Sequence, residues 1–166
     1  MKTIGVDGCR AGWFCVIKNK QAWQFEIYPD IATLCDTHHD ARRIFIDIPI
    51  GLPTSAPRAC DTLARQYLQP HRSSSVFPVP CREAVFATDY KTACEINLQK
   101  MGKSLTKQTW NICNKIAQVD LFLRQNPQWR PRLFESHPEV CFAAFNQQSP
   151  MPDAKKSPGG QQQRLN

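Results

Sequence analysis

The sequence predicts an α/β fold in which helices flank a mixed β-sheet, and two observations carry that prediction. Short apolar runs separated by turn residues fill the first 28 residues, as expected for three antiparallel strands with short connections. Apart from Asp47, the run Ile44 to Ile48 is apolar on both faces, which is typical of a central strand with parallel neighbours. A parallel neighbour requires a crossover, and residues 29–39 carry apolar residues at helical spacing. We therefore expect this strand to lie beside the first one.

The first three strands are predicted from their alternation and their turns. Residues 2–7 form a strand that ends in Asp7, and the glycines of GCRAG (8–12) supply a tight turn. A second strand follows over 13–18. Residues 23–28, WQFEIY, alternate apolar and polar side chains with the period of a half-buried strand on the edge side of a sheet. These runs together predict an antiparallel meander.

The rest of the chain is predicted to be mainly helical, with one further strand. Helix starts are indicated by prolines ahead of apolar stripes, and a proline-rich and serine-rich stretch without periodicity indicates a long ordered loop. The predicted elements are a helix starting at Pro57, a loop over 70–86, helices over about 82–99 and from Thr106 to Gln125, a strand ending at Glu135, and a helix from Pro138 to about Asn146.

Length and composition favour one globular domain over 1–146, followed by a mobile polar tail over 147–166 that is rich in proline, glycine and glutamine. The eight cysteines show neither a C-x-x-C pair nor zinc-type spacing, so we expect reduced, buried thiols and a cytoplasmic protein. No run approaches the ~20 apolar residues of a membrane span, and we expect no membrane partner. A formal net charge of +7 favours polyanionic partners such as nucleic acid.

Three acidic residues stand at or near predicted strand ends: Asp7, Asp47 and Glu135. Open α/β sheets hold their ligands in the crevice at the carboxyl ends of strands. Three carboxylates gathered there repel one another unless a cation neutralises them, and an all-oxygen ligand set suits Mg²⁺ or Mn²⁺. Each residue taken alone has a plainer interpretation as a turn or cap residue. Asp47 is the hardest to explain in that way, because IFIDIPI (44–50) offers it no local cap role, and its plainer alternative is a structural salt bridge.

Six stretches in order also resemble one protein family. They are GVDGCRAGW (5–13), DIPIGLP (47–53), RACDTLAR (58–65), SSVFPVPCREA (74–84), GKSLTKQTWNICNKIAQVD (102–120) and ESHPEVCFAAF (135–145). The chain resembles, from about residue 4 to 165, the family catalogued as domain of unknown function 429, whose members are described as predicted nucleases. The resemblance implies a ribonuclease H-like fold with a five-stranded mixed sheet. It also implies that Asp7, Asp47 and Glu135 are the metal-binding carboxylates.

The chain departs from the family pattern in two places. Position 11 is Ala where the family usually has a second glycine, which matters only if the turn demands a positive φ. Family members also continue beyond the region of Lys155 and Arg164 into a helix with a last acidic cluster, whereas this sequence stops at Asn166. We expect either a shortened form with an incomplete centre or a second subunit that supplies the rest, which leaves a homo-oligomer open.

Further candidate residues each have a plainer alternative. Guanidinium groups suit phosphate recognition, but arginines also serve as solvated surface or as ion-pair partners. The candidate substrate-binding arginines are Arg10, Arg58, Arg65, Arg72 and Arg82. His137 is a candidate proton donor or outer-shell metal ligand, or it caps the helix that follows. Asp120 is expected in a structural ion pair first and as a fourth acidic ligand second.

These observations favour a Mg²⁺- or Mn²⁺-dependent phosphodiester hydrolase that acts on nucleic acid, with Asp7, Asp47, Glu135 and His137 as catalytic residues. The alternative is a non-catalytic protein that binds nucleic acid or nucleotides with a salt-dependent affinity and without turnover. A nucleotide phosphotransferase of the actin and sugar-kinase type ranks last, since the sequence shows no second copy of the strand pattern.

Overall fold

The computed structural model describes residues 1–20 and 22–165, which form an α/β fold with a five-stranded mixed sheet flanked by helices. The strands are β1 (Lys2–Cys9), β2 (Gly12–Asn19), β3 (Ala22–Tyr28), β4 (Arg43–Ile46) and β5 (Leu133–Glu135). The helices are α1 (Ile31–Thr37), α2 (Ala59–Tyr67), α3 (Arg82–Val85), α4 (Tyr90–Met101), α5 (Lys107–Gln125), α6 (Pro138–Phe145) and α7 (Pro158–Leu165).

The strand order is β3-β2-β1-β4-β5, which confirms the predicted sheet. Strands β1, β2 and β3 are antiparallel, whereas β4 pairs in parallel with β1 and β5 pairs in parallel with β4. Gly12 has a φ of 135°, and a Cβ there would meet the backbone oxygen of Tyr28 at 1.9 Å, so this turn position requires glycine. Ala11 has no positive φ, and its departure from the family pattern is therefore tolerated.

One face of the sheet forms the core with the helices. Ile4, Ile17, Ile44 and Ile46 are fully buried in one apolar cluster with residues of α1 and α5. Because strand side chains alternate between faces, these four residues share the covered face. The longest helix, α5, crosses this face, and its Gln118 accepts a hydrogen bond from the indole nitrogen of Trp13 at 3.2 Å.

The opposite face is apolar but exposed among the described residues. Phe14, Phe25, Phe45 and Phe134 lie on it in two contacting pairs, with ring centroids 6.3 Å apart in the first pair and 5.8 Å apart in the second. The edge position predicted for WQFEIY is confirmed, but its apolar side chains point to this open face. Phe25 is accordingly 65% exposed.

The predicted helices are present, with one division. The helix expected over about 82–99 is two helices, because the side chain of Asp89 accepts a hydrogen bond from the backbone nitrogen of Thr92 at 2.9 Å and starts α4 anew. The start of α5 agrees with the prediction, since Thr106 caps it. No helix in the described part of the chain is long and apolar enough to cross a membrane.

The segment predicted as a mobile tail contains helix α7. The hydroxyl of Ser157 accepts a hydrogen bond from the backbone nitrogen of Gly160 at 3.0 Å, and Pro158 stands at the first helical position. Arg164 then reaches α6 and binds both carboxylate oxygens of Glu139, at 2.8 and 2.9 Å. Composition alone suggested disorder, but a capped start and a buried ion pair hold this segment against the domain.

All eight cysteines are free, as expected for a reduced protein. Cys15, Cys35, Cys81 and Cys113 are buried, whereas Cys60 is exposed on α2. Burial raises the pKa of both Cys15 and Cys35 to about 12, so these two thiols are packed as small apolar groups and carry no thiolate nucleophile at neutral pH.

Because side chains of β2 and β3 alternate between the covered and the open face, two truncations on these strands should lower the free energy of unfolding by unequal amounts. Ile17→Ala should lower the free energy of unfolding by about 3 kcal/mol, because it leaves a cavity in the core. Phe25→Ala, on the neighbouring strand, should cost about 1 kcal/mol or less, because its ring is largely in water. Urea unfolding measures both changes, and equal losses would contradict the assignment of faces.

His38 should make the stability of the fold depend on pH. Its imidazole is buried and contacts the hydroxyl of Tyr28 at 2.8 Å, and burial lowers the pKa of His38 below the ordinary 6.5. The unfolded chain therefore takes up a proton before the folded chain does, so the free energy of unfolding should fall as pH drops below about 6.5 and level off above it. Urea unfolding at pH 5 to 8 should show this slope reduced in His38→Gln. His39→Gln, at an exposed neighbour, should keep the slope, and a slope unchanged in both variants would contradict the argument.

Candidate functional site

Asp7 and Asp47 lie side by side at the carboxyl edge of β1 and β4. The last residue pair of this parallel ladder is Val6 with Ile46, so the next residue on each chain is an aspartate. The backbone nitrogen of Asp47 donates to the carbonyl oxygen of Val6 at 3.2 Å and extends the register by one step. Neighbouring strands are about 4.8 Å apart, so the two side chains leave the backbone from adjacent positions.

Neither of these carboxylates forms a hydrogen bond or an ion pair with any residue in 1–20 or 22–165. Burial raises the pKa of Asp47; the charge of His137 counteracts this effect, and the charge of Asp7 adds to it. Lys155 also acts on the pKa of Asp47 and lowers it. Two adjacent carboxylates without a protein partner repel each other, and a cation bound between them would relieve that repulsion.

Glu135 lies next to Asp47 but its carboxylate is engaged elsewhere. Both of its oxygens accept hydrogen bonds from the guanidinium of Arg58, each at 2.7 Å, and one of them also accepts from the backbone nitrogen of Ile50 at 2.8 Å. Over the described residues, no group of three or more His, Cys, Asp or Glu side chains is arranged to hold a metal ion. Of the three carboxylates that the sequence predicted to converge, Asp7 and Asp47 occupy adjacent backbone positions, whereas Glu135 is paired with Arg58.

Arg58 connects three parts of the site. Besides Glu135 it binds Asp61, with its Nε 2.9 Å from a carboxylate oxygen, and it donates to the carbonyl oxygen of Ile50 at 3.0 Å. Burial alone would lower the pKa of Arg58, but the hydrogen bonds to Glu135 and Asp61 raise it above its ordinary value. The guanidinium therefore ties the loop after Asp47 to the start of α2 and to β5, and it has little capacity left for a substrate.

The other predicted arginines divide into two groups. Arg82 pairs with the buried Asp120 at 3.0 Å, which gives Asp120 the structural ion pair that the sequence favoured. Arg10 is exposed in the turn after β1 and does not line the cavity described below. Arg65 and Arg72 do line that cavity.

A cavity of about 980 Å³ opens beside Asp47. It lies between the Ser73–Ser75 turn, the start of α5, the start of α6 and residues 154–156, and Asp47 and His137 form part of its wall. Three further cations line it that were not predicted as site residues: Lys155, Lys156 and Arg164. The paired lysines were a detectable signal, but they stand in a segment whose composition suggested a disordered tail.

His137 links α6 to the serine turn. It occupies the N-cap position of α6, in agreement with the capping interpretation, but its side chain makes no capping hydrogen bond. Instead its Nε2 lies 3.1 Å from the carbonyl oxygen of Ser75. A carbonyl only accepts, so Nε2 is the donor of this hydrogen bond, and Nδ1 has no hydrogen-bond partner in the described chain.

The Arg58 interactions can be tested by stability. Arg58→Met should lower the free energy of unfolding by about 3 kcal/mol, because the largely buried Asp61 and the half-covered Glu135 lose their partner. Arg124→Met should cost about 0.5 kcal/mol or less, since that side chain is 56% exposed and 4.0 Å from Asp120. Urea unfolding compares the two variants, and similar small losses would mean that Arg58 does not hold this loop.

A comparison with known protein families identifies the group to which the chain belongs. A family model described as "Protein of unknown function (DUF429)" matches residues 5–166, which include both aspartates and every residue that lines the cavity. No curated protein and no solved structure matches the chain. Because the family match spans almost the whole sequence, the chain is a member of this protein family of unknown function, DUF429.

Proposed function

We propose that this protein is a divalent-metal-dependent nuclease, a phosphodiester hydrolase of the ribonuclease H-like superfamily. One observation carries the proposal: two adjacent carboxylates without protein partners stand at the carboxyl edge of a parallel strand pair, beside a cavity lined by cations. Carboxylates there suit a metal ion, and cations there suit the phosphates of a substrate. The strand order and the position of the aspartates on β1 and after β4 support the superfamily assignment.

The donor set of the site fits Mg²⁺ or Mn²⁺. Asp7 and Asp47 offer oxygen atoms alone, and Mg²⁺ is commonly held by one or two carboxylates while it keeps several waters. When bound, such an ion polarises a phosphoryl oxygen and lowers the pKa of a coordinated water. The sequence predicted Glu135 as a third ligand, but that role would require its release from Arg58. We therefore restrict the proposed ligands to Asp7 and Asp47.

The remaining residues of the site have separable tasks in this proposal. Glu135 and Arg58 position the loop that follows Asp47, since both bind Ile50. His137 lies on the cavity wall and is the proposed proton donor to a leaving oxygen. Arg65 and Lys155 hold phosphate oxygens in the cavity beside Asp47.

A second candidate is a binding protein without catalytic activity. The observation that favours it is the pairing of Glu135 with Arg58, which leaves two free carboxylates where the family resemblance implied three. Such a protein would use the same cationic cavity to bind nucleic acid or nucleotides, with an affinity that falls as salt rises.

The test combines metal binding with cleavage. Calorimetric titration with Mn²⁺ should show binding that Asp7→Asn and Asp47→Asn each weaken by at least about 100-fold, because each variant removes a charged ligand. Cleavage of labelled oligonucleotides should require Mg²⁺ or Mn²⁺, stop with EDTA and fall in the same variants.

Asp36→Asn is the matched control, since it removes an exposed carboxylate on α1. It should leave metal binding and cleavage unchanged. Metal-dependent cleavage that survives in Asp47→Asn would refute the carboxylate site. Oligonucleotide binding without any cleavage in the parent protein would favour the binding-protein candidate.

A further inference from the structure

The cavity beside Asp47 has the size and lining of a site for unpaired nucleotides. Its volume of about 980 Å³ matches that of small-molecule sites, which range over roughly 300–1,000 Å³. An unpaired nucleotide can enter such a space whole, whereas a double helix can offer it only the outer backbone. We propose that the cavity takes one or two nucleotides of a single strand, so that the nuclease acts on single-stranded nucleic acid; this inference rests on the function proposed above.

The charge of the cavity wall fits a phosphate-bearing ligand. Among the residues that the structure describes, five cations line it, and two carboxylates, Asp47 and Glu139, oppose them. Arg164 neutralises Glu139 at 2.8 Å in a buried ion pair. The remaining four cations, Arg65, Arg72, Lys155 and Lys156, therefore face one carboxylate. That excess of positive charge favours a ligand that carries more than one negative charge.

The four cations are of two kinds. Arg65 and Arg72 are held in place, since the Nε of each donates to a backbone carbonyl, of Val76 at 3.0 Å and of Met151 at 2.9 Å. Lys155 and Lys156 are exposed and form no hydrogen bond or ion pair within the described chain. Oriented guanidinium groups recognise phosphate by geometry, and free lysines attract it as point charges.

The apolar part of the wall fits a nucleobase. The half-buried rings of Phe77 and Phe142 line the cavity together with Ile112. Aromatic side chains stack on bases of any sequence in proteins that bind single strands. Bases inside a duplex are already stacked and paired, so these rings can be used only by an unpaired strand. Ser74 and Ser75 also line the cavity, and their hydroxyl groups can form hydrogen bonds with sugar and base edges.

The position of Asp47 connects this cavity to the chemistry. Asp47 and His137 belong to the same wall as the serine turn and the lysines. A nucleotide stacked on Phe77 would place its phosphodiester near Asp47 and His137, which line the same part of the cavity as this ring. Binding and cleavage would thus use one continuous surface, so the strand that enters the cavity would be the strand that is cleaved.

The test is a binding experiment in EDTA, in which metal-dependent cleavage cannot occur. Fluorescence anisotropy compares a labelled 5′-phosphorylated hexanucleotide with the blunt duplex of the same sequence. The single strand should bind at least about tenfold tighter than the duplex, because only it can use the aromatic wall. Phe77→Ala should weaken single-strand binding by about fivefold or more, as expected for one lost stacking contact.

Lys155→Ala combined with Lys156→Ala should reduce the slope of log affinity against log salt by about 1.4, since each contact with a single-strand phosphate contributes about 0.7. Both lysines are exposed, so this variant tests the proposal even if Phe77→Ala fails to fold. The control removes two exposed lysines elsewhere, Lys91→Ala with Lys103→Ala, and should leave the slope unchanged.

Equal affinity for duplex and single strand, or an equal effect of the control pair, would overturn the proposal. Failure of the proposed nuclease function has a different signature. It would show as absent metal-dependent cleavage while the selective binding of the single strand in EDTA persists.

Discussion

The parallel pairing of β1 with β4 is the constraint on which the rest of the site depends. It joins two segments about 40 residues apart in the chain and brings Asp7 and Asp47 to neighbouring backbone positions, through a single added hydrogen bond between Asp47 and Val6. The energy for this arrangement comes from Ile4, Ile44 and Ile46, which are fully buried beneath α5. Burial of these apolar side chains drives the pairing of β1 with β4. The two aspartates follow the last strand pair, at the carboxyl edge of the sheet.

Arg58 provides the second constraint, because it fixes the backbone that leaves the sheet after Asp47. It binds Glu135 on β5, Asp61 on α2 and the carbonyl oxygen of Ile50 in the intervening loop. A buried guanidinium with two carboxylates adds specificity of arrangement more than net stability, since desolvation opposes the attraction of the charges. In this protein Glu135 holds the loop after Asp47 through its bonds to Arg58 and Ile50. Asp7 and Asp47 have no protein partner in the described chain.

The two faces of the sheet have different surroundings, and the site lies where they meet. Asp7 and Asp47 alternate with the buried Val6 and Ile46, so both follow the open face of the sheet, on which Phe14 is the cross-strand neighbour of Asp7. Asp47 lines the cavity formed by the helices and by the segment before α7. A contiguous exposed apolar surface is uncommon on an isolated domain and usually marks a contact surface. The acidic pair therefore stands between a cationic cavity and an aromatic face.

The sequence by itself determined the order of the strands and of most helices, but it missed the division of the helix over 82–99 and the helix α7, and β1 continues two residues past Asp7 to Cys9. Periodicity, caps and turn residues act over a few positions, so the meander, the crossover to β4 and helix α5 could be predicted locally. Tertiary structure alone decided the partner of Glu135, which is Arg58 at a separation of 77 residues. It also decided which apolar face of the sheet the helices cover, because strands that are apolar on both sides are compatible with either choice. Tertiary structure also decided the cavity, since its wall combines five separate segments. One of them carries a lysine pair in a stretch whose composition is typical of disordered chains. Contacts between distant residues depend on three-dimensional packing, and no local pattern encodes them.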